Sequence, residues 1–143
     1  SKFGLDFETG MECVRLVSQS QNGKLKALSF HLGSQILNVN VFEKALQVMK
    51  PYFLDAKKLC PDLNRFDLGG GIGIDYKDAD SDVDHARWLE LQNLFDRQLE
   101  NFNATYLLEI GRFMVARSGV LLSRVEIIKN SPAKKFLILD AGM

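Results

Sequence analysis

The stretch that decides the fold is RFDLGGGIG, residues 65–73, in which a short apolar strand runs directly into a cluster of glycines. Two further predicted strands end in polar residues: residues 25–30 are followed by His31, and residues 105–108 by Glu109. Segments of helical periodicity separate these strands, an alternation that is typical of a parallel sheet or barrel. The carboxyl ends of parallel strands meet at one edge, which in such folds carries the functional site.

Amphipathic helices are predicted before and between these strands. Asp6 is a typical capping residue for the first helix, and Asn40 begins the second, with Glu43 placed as in a capping box. Pro51 is expected to kink or split the second helix, because proline removes a hydrogen-bond donor and clashes with the preceding turn. The third helix is predicted over residues 83–102. Apolar side chains recur at helical spacing in all of them: Phe7, Met11, Val14 and Val17; Phe42, Leu46, Met49 and Phe53; Trp88, Leu91, Phe95, Leu99 and Phe102.

The two ends of the chain follow a different pattern. Residues 2–5 are predicted to end an earlier strand, and residues 120–128 and 135–139 to form a hairpin-like β pair. A complete eight-stranded barrel needs about 250 residues. The 143 residues present therefore predict an α/β fold that is either half a barrel or an open sheet. The pattern divides the chain into a β/α unit, residues 1–117, and the start of a β domain, residues 118–143.

Composition argues against several classes of protein. Basic and acidic residues number 18 each, without the basic bias of a nucleic-acid or membrane-surface protein. No apolar run approaches the roughly 20 residues of a membrane span. Cys13 and Cys60 lack the spacing of a zinc site, so we expect buried free thiols in a reducing cytoplasm. The first residues carry neither an initiator methionine nor a signal peptide, so we expect a segment from the interior of a longer chain.

The glycine run allows two interpretations. Gly69, Gly70, Gly71 and Gly73 would let backbone N–H groups approach a phosphate without a Cβ in the way. The run does not fit a P-loop or the GxGxxG fingerprint, because neither Lys-Ser/Thr nor a helix follows it. A tight turn at the rim of a barrel explains the same residues, and spacing alone does not separate these alternatives.

Polar side chains follow the other strands as well. His31 is placed to stack on a flat cofactor or to shuttle protons, or else to be a core histidine bonded to a backbone carbonyl. Ser34 can donate to a phosphate or cap a turn, whereas His85 is predicted to be solvated. Glu109 and Arg112 can form a structural ion pair, or they can bind a protonated ring nitrogen and a phosphate or carboxylate separately.

The remaining charged features predict no site. The acidic loop of residues 75–84 is expected to be solvated, and it lacks the glycine and terminal Glu spacing of a calcium-binding hand. No Ser-His-Asp order with a nucleophile elbow is present. We therefore predict no metal site.

Five motifs carry a resemblance to a known family. They are KFGL (2–5), HLGSQ (31–35), DLGGGIG (67–73), EIGR (109–112) and DAGM (140–143). Each motif is weak alone, but in this order they resemble the diaminopimelate decarboxylases, in the alanine-racemase-like group of pyridoxal-phosphate decarboxylases. The resemblance implies the second half of a (β/α)8 TIM-type barrel followed by the first strands of a C-terminal β domain.

The resemblance also implies pyridoxal 5'-phosphate as cofactor and a role for each strand end. His31 would stack on the pyridine ring, while Ser34 and the backbone of residues 69–71 would hold the phosphate. Glu109 would keep the ring nitrogen protonated, so that the ring accepts electrons from the carbanion left after loss of CO₂. Ile110 and Gly111 belong to the same cofactor-binding loop. Arg112 would bind the phosphate or the distal carboxylate of the substrate.

The activity implied is decarboxylation of meso-diaminopimelate to L-lysine in a cytoplasmic homodimer. Ile110 stands where the family usually has proline, which leaves open another amino acid or a carrier-bound substrate, although residues 140–143 favour diaminopimelate. The family's Schiff-base lysine lies before this segment, and the cysteine supplied across the dimer lies after it. Neither Lys2 nor Lys77 matches that lysine, so no catalytic residue is assigned to this chain. A non-catalytic phosphate-binding module and a self-associating structural fragment are the alternatives.

Overall fold

The computed structural model describes residues 3–77 and 83–142, which form a parallel sheet with helices and a hairpin. The sheet has the strand order β1-β2-β3, with both pairs parallel. The elements in chain order are α1 (Phe7–Ser18), β1 (Ala27–Ser29), α2 (Asn40–Leu59), β2 (Arg65–Gly70), α3 (Val83–Leu99), β3 (Thr105–Glu109), α4 (Gly111–Val115), β4 (Val125–Asn130) and β5 (Lys135–Leu139). The predicted mixture of helices and strands is therefore confirmed.

The helix starts agree with the sequence patterns, but one of the predicted caps does not form. The carboxylate of Asp6 accepts the N–H of Thr9 at 2.9 Å and caps α1 as predicted. Helix α2 begins at Asn40, whose N–H donates to Oδ1 of Asn38 at 3.0 Å, so the capping side chain is that of Asn38 and not that of Asn40. Glu43 instead accepts the side-chain amide of Gln98 in α3 at 3.4 Å. The predicted capping box is wrong because a neighbouring helix takes up this carboxylate.

Helix α2 is continuous through Pro51, so the expected split does not occur. Proline removes the donor for the carbonyl four residues earlier, here that of Gln47. Both residues are exposed, so water can satisfy this carbonyl. The missing hydrogen bond therefore does not break the helix.

The hydrophobic core lies where the helices pack against one face of the sheet. Phe53 of α2, Phe66 of β2 and Phe102 form its centre, with ring centroids 4.9–5.4 Å apart. Helix α3 ends at Leu99 and not at Phe102 as predicted, because Asn101 adopts a left-handed φ of 61°. The N–H of Phe102 then bonds to the carbonyl of Leu99 at 3.0 Å, and its ring stays buried.

The opposite face of the sheet is less covered within the described residues. Ser29, Asp67 and Leu107 occupy matching register positions on the three strands. Ser29 and Leu107 are exposed, and Asp67 is half-buried. Side chains alternate between faces along a strand, so Glu109 shares this accessible face.

The strand boundaries correct several predictions. Residues 3–5 form no strand, and Lys2 lies outside the described residues, so within the described ranges the parallel sheet has three strands and not four. β1 is shorter than residues 25–30. The predicted β pair is confirmed as an antiparallel hairpin. However, β4 begins only at Val125, five residues after the predicted start, and it ends at Asn130, two residues beyond the predicted end. Helix α4 was not predicted.

The two cysteines have different environments. Cys60 is buried, with its sulfur 3.7 Å from the carbonyl oxygen of Val14. Cys13 is exposed on α1, so the expectation of burial is wrong for this residue, although both thiols are free. None of the helices in the described ranges has the length and apolarity needed to cross a membrane.

Candidate functional site

The carboxyl ends of the three parallel strands meet at one edge, as the sequence predicted. Ser29 pairs with Asp67, and Gly70 pairs with Glu109, so the ends of β1, β2 and β3 are adjacent. His31 lies two residues beyond the end of β1, and Gly69 and Gly70 of the glycine run are the last residues of β2. Parallel register alone therefore places residues from three distant parts of the chain side by side.

The loops after β1 and β2 are joined by backbone hydrogen bonds. The N–H of Ile36 donates to the carbonyl of Gly71 at 2.8 Å, and the N–H of Gly73 donates to the carbonyl of Ile36 at 2.9 Å. Ile36 and Ile72 thus form a parallel bridge beyond the ends of the strands. The segment that carries Ser34 is consequently fixed to the glycine run.

Close packing between strand ends explains the three central glycines. A Cβ on Gly69 would lie 2.2 Å from the carbonyl oxygen of Phe30, and one on Gly71 would lie 1.9 Å from that of Gly33. A Cβ on Gly70 would lie 2.0 Å from the carbonyl oxygen of Glu109. The atoms that exclude a side chain therefore belong to neighbouring backbone. This geometry supports the rim-turn interpretation, and it leaves the N–H of Gly71 without an acceptor among the described residues.

Three polar side chains at this edge are exposed. Within residues 3–77 and 83–142, the side chains of His31, Ser34 and Glu109 have no hydrogen-bond or ion-pair partner. The core-histidine alternative is wrong, because His31 is exposed and bonds to no carbonyl. The turn-cap alternative for Ser34 likewise has no hydrogen bond to support it. His85 is exposed, as predicted.

Glu109 and Arg112 form no ion pair within the described part of the chain. Arg112 instead donates from Nη1 to Oε1 of Gln35, in the loop after β1, at 3.2 Å. Helix α4 begins at Gly111, and the half-buried Ile110 precedes it. The structural ion-pair alternative is therefore wrong, and the two charged groups are available separately.

Gln35 was not predicted to be a site residue, although it holds Arg112. Its Nε2 donates to the carbonyl of Ile74 at 2.5 Å, and its Oε1 accepts the N–H of Ile74 at 3.3 Å. Its backbone has a φ of 61°, which is uncommon for a residue other than glycine. The quoted motif HLGSQ contains this glutamine, but no local pattern reveals a contact 77 residues away.

Asp84 contradicts the prediction of a solvated acidic loop. Its side chain is 11% exposed and lies between the guanidinium groups of Arg87 and Arg117. Burial raises the pKa of this carboxyl, but the N–H of Asp75 and the two arginines outweigh that effect and lower the pKa below its ordinary value. Tyr76 is exposed as expected, and residues 78–82 lie outside the described residues.

Two cavities differ in their relation to the strand ends. One of about 1150 Å³ lies between α1 and β1, with His31 and Ser34 at its wall. Its other lining groups are largely apolar and include Phe7, Val14 and Leu28. A second, of about 800 Å³, lies at the amino ends of the strands beside Asn64 and contains no predicted site residue.

Asp140, from the last of the five motifs, lies in the hairpin. Its carboxylate accepts the N–H of Arg124 and the hydroxyl of Ser123, each at 2.9 Å. The first of these bonds, with support from the second, lowers the pKa of Asp140. These contacts close the base of the hairpin. Met143 lies outside the described residues.

Comparison with known proteins gives matches over most or all of the chain. Residues 1–116 match the family model described as "Pyridoxal-dependent decarboxylase, pyridoxal binding domain". Diaminopimelate decarboxylase from Aquifex aeolicus (strain VF5) is 32% identical over 143 residues, which are 100% of this chain and 33% of that relative.

Solved structures are similar over nearly the same extent. Diaminopimelate decarboxylase from Helicobacter pylori, complexed with L-lysine, has a TM-score of 0.81 and 30% identity, covering 100% of this chain and 35% of its own. The structure of SrLDC in complex with PLP and cadaverine has a TM-score of 0.76 and 27% identity, covering 98% and 36%. The chain thus spans about a third of the length of the curated relatives it matches.

Proposed function

Because this chain belongs to the pyridoxal-dependent decarboxylase family, we propose that it forms the cofactor-binding part of an amino acid decarboxylase that uses pyridoxal 5'-phosphate. The proposed reaction is conversion of meso-diaminopimelate to L-lysine and CO₂. The proposal rests on three exposed side chains at the strand ends, those of His31, Ser34 and Glu109. None of them has a hydrogen-bond or ion-pair partner among the described residues. Arg112 is fixed nearby through Gln35.

The groups at this edge fit the chemistry of the cofactor. Pyridoxal 5'-phosphate presents a phosphate, a flat ring and a basic ring nitrogen. The hydroxyl of Ser34 and the unbonded N–H of Gly71 can donate to a phosphate. His31 offers an exposed flat ring, and Glu109 offers an exposed carboxylate that can hold a protonated nitrogen. No other group in the described residues competes for these side chains.

The role proposed for each residue is the one that the resemblance to the decarboxylase family implies for its position. Glu109 keeps a proton on the ring nitrogen, and His31 packs on the face of the ring. When bound, the cofactor would accept the electrons that remain on the substrate when its carboxylate leaves as CO₂. Arg112 holds either the phosphate or the distal carboxylate of the substrate. Ile110 and Gly111 belong to the loop that binds the cofactor.

The arrangement of the longer protein is part of the proposal. Residues 1–117 would belong to the second half of a (β/α)8 barrel, and residues 118–143 would begin a C-terminal β domain. The accessible second face of the sheet, which includes Ser29, supports a partner layer or a barrel interior. We also propose a homodimer in the cytoplasm, with an amino acid as its small-molecule substrate.

No residue of this chain is proposed as the lysine that attaches the cofactor. The isolated 143 residues are therefore expected to release no CO₂ from meso-diaminopimelate. Release of CO₂ by the purified segment would show that this assignment of missing parts is wrong.

The test of the proposal is an absorbance titration of the purified chain with pyridoxal 5'-phosphate. The wild type is expected to bind saturably without the visible band of a lysine adduct. Arg112→Ala should abolish this binding, because it removes the guanidinium at the strand ends. Arg15→Ala is the matched control, since Arg15 is exposed in the last turn of α1.

Other outcomes have distinct meanings. A visible adduct band that borohydride fixes to one lysine of this chain would contradict the assignment of a missing lysine. Absence of binding would favour a structural fragment over a cofactor site. Equal binding by Arg112→Ala and the wild type would remove Arg112 from the proposed site.

A further inference from the structure

Asp84, Arg87 and Arg117 form a cluster behind the strand ends that the proposed cofactor contacts leave unused. The side chains of Asp84 and Arg87 are 11% and 10% exposed, and that of Arg117 is 36% exposed. Arg87 Nη1 donates to Asp84 Oδ1 at 2.8 Å. Arg117 donates to Oδ2 from Nε at 3.0 Å and from Nη2 at 2.5 Å.

The same arginines also hold backbone carbonyls of the site loops. Arg87 donates to the carbonyls of Leu37 and Gly73, both at 3.1 Å. Leu37 lies in the loop after β1, and Gly73 ends the glycine run after β2. Arg87 therefore connects the segment that carries Ser34 with the segment that carries Gly71.

Arg117 links the segment that follows β3 to this cluster. It follows α4, the helix that contains Arg112, and its Nη2 donates to the carbonyl of Asp75 at 2.8 Å. The N–H of Asp75 in turn donates to Asp84 Oδ1 at 2.9 Å. Segments after all three parallel strands are thus linked to one carboxylate.

The carboxylate of Asp84 is fully engaged and is not available to a ligand. Oδ1 accepts two hydrogen bonds and Oδ2 accepts two, which satisfies a carboxylate that burial has removed from water. A buried ion cluster gives little net stability, but it favours one arrangement of the groups that surround it. Such a cluster suits a positioning role, since a displaced loop would leave a buried charge without its partner.

We propose that Asp84 is a positioning residue that, through Arg87 and Arg117, holds the loops of Ser34, Gly71 and Arg112 in place to bind the phosphate of the cofactor. This inference rests on the proposed function. It assigns to Asp84 an effect on phosphate recognition, while the ring contacts of His31 and Glu109 stay outside the cluster. The role therefore differs from that of a residue that only stabilises the fold.

The experiment compares the affinities of the purified protein for pyridoxal 5'-phosphate and for pyridoxal, which lacks the phosphate, by titration calorimetry. Asp84→Asn is expected to weaken binding of the phosphorylated form about tenfold and binding of pyridoxal less than about twofold. Asp84→Glu keeps the charge and should recover part of the loss. Asp62→Asn is the matched control, because Asp62 is an exposed carboxylate paired with Lys24 and Lys26.

Each result supports or overturns the inference. Equal loss of affinity for both ligands in Asp84→Asn would mean a general effect on the fold and would overturn it, as would unchanged affinity for both. If Asp84→Asn does not fold, Arg117→Gln decides by the same comparison, because Arg117 is more exposed. A wild type that binds neither ligand would overturn the proposed function itself, before any variant is made.

Discussion

The guanidinium of Arg112 is directed by the side chain of Gln35, whose Oε1 lies 3.2 Å from Arg112 Nη1. Gln35 is itself held at both ends of its amide by the backbone of Ile74. One glutamine therefore connects the loop after β1, the segment after β2 and the helix after β3. This relationship makes Gln35 a test of how the proposed site is assembled.

Shortening Gln35 should weaken cofactor binding. Gln35→Asn tolerates the left-handed φ of 61° but is too short to reach both Ile74 and Arg112. We expect affinity for pyridoxal 5'-phosphate to fall about tenfold, as for loss of a hydrogen bond to a charged group. Titration of the purified protein measures this change. Gln92→Asn, at an exposed position of α3, is the control, and equal affinities in the two variants would contradict the role of Gln35.

A methyl group at Gly70 should destabilise the protein. The added Cβ would lie 2.0 Å from the carbonyl oxygen of Glu109, which cannot move without breaking the β2–β3 register. We expect Gly70→Ala to lower the free energy of unfolding by about 2 kcal/mol or more, measured by urea denaturation. Gly119→Ala is the control, because a Cβ there meets nothing within 4 Å. Equal stability of both variants would show that the backbone at the strand ends can shift to accommodate the added Cβ.

Replacing Glu109 should lower the activity while leaving the stability of the protein nearly unchanged. Its carboxylate has no partner among the described residues, so Glu109→Gln should change the free energy of unfolding by less than about 0.5 kcal/mol. Decarboxylation by the full-length protein should nevertheless fall at least about a hundredfold, because a neutral amide cannot keep the ring nitrogen protonated. Glu90→Gln, exposed on α3, should behave as the wild type. Full activity in Glu109→Gln would remove Glu109 from the proposed site.

The charge of Asp84 should make stability depend on pH in the acid range. The pKa of Asp84 in the folded protein lies below its ordinary value of 3.8, since its bonds from Asp75, Arg117 and Arg87 outweigh the effect of burial. Its stabilising effect is therefore complete only well above that ordinary value, and it is lost as the pH falls below that value and through the lowered pKa. Both arginines stay charged throughout this range.

The measurement compares the free energies of unfolding of the wild type and of Asp84→Asn. At pH 7, Asp84→Asn should unfold with a free energy about 2 kcal/mol lower than the wild type, and the difference should shrink as the pH falls from 4 to 2. Urea denaturation at several pH values measures both quantities. A difference that stays constant over this range would contradict the ionised state of Asp84 in the folded protein.

Local patterns in the sequence predicted the order of elements well. The Asp6 cap, the start of α2 at Asn40 and the β4–β5 hairpin all agree with the structure. These features depend on residues within a few positions of one another, so periodicity and capping chemistry are sufficient. The end of α3, which was predicted at Phe102, instead depends on a single backbone angle at Asn101.

The sequence predicted most residues of the candidate site, though not Gln35, and only some of the contacts between them. The sequence places His31, the glycines and Glu109 directly after strands, and parallel pairing brings those ends together. It did not reveal that Arg112 bonds to Gln35 rather than to Glu109, because the contact spans 77 residues. It also left open whether the glycines bind a phosphate or form a rim turn, since that depends on which backbone lies opposite them.

The sequence by itself determined the alternation of strands and helices, the positions of polar residues after strands, and the resemblance to one family, because all three lie in the linear order of residues. Only the tertiary structure decided that Asp84, in the first turn of α3, is buried between Arg87 and Arg117, although the acidic residues that precede it indicate solvation. The physical reason is that burial and pairing depend on neighbours in space. Arg117 lies 33 residues from Asp84 and meets it only after the strands have aligned.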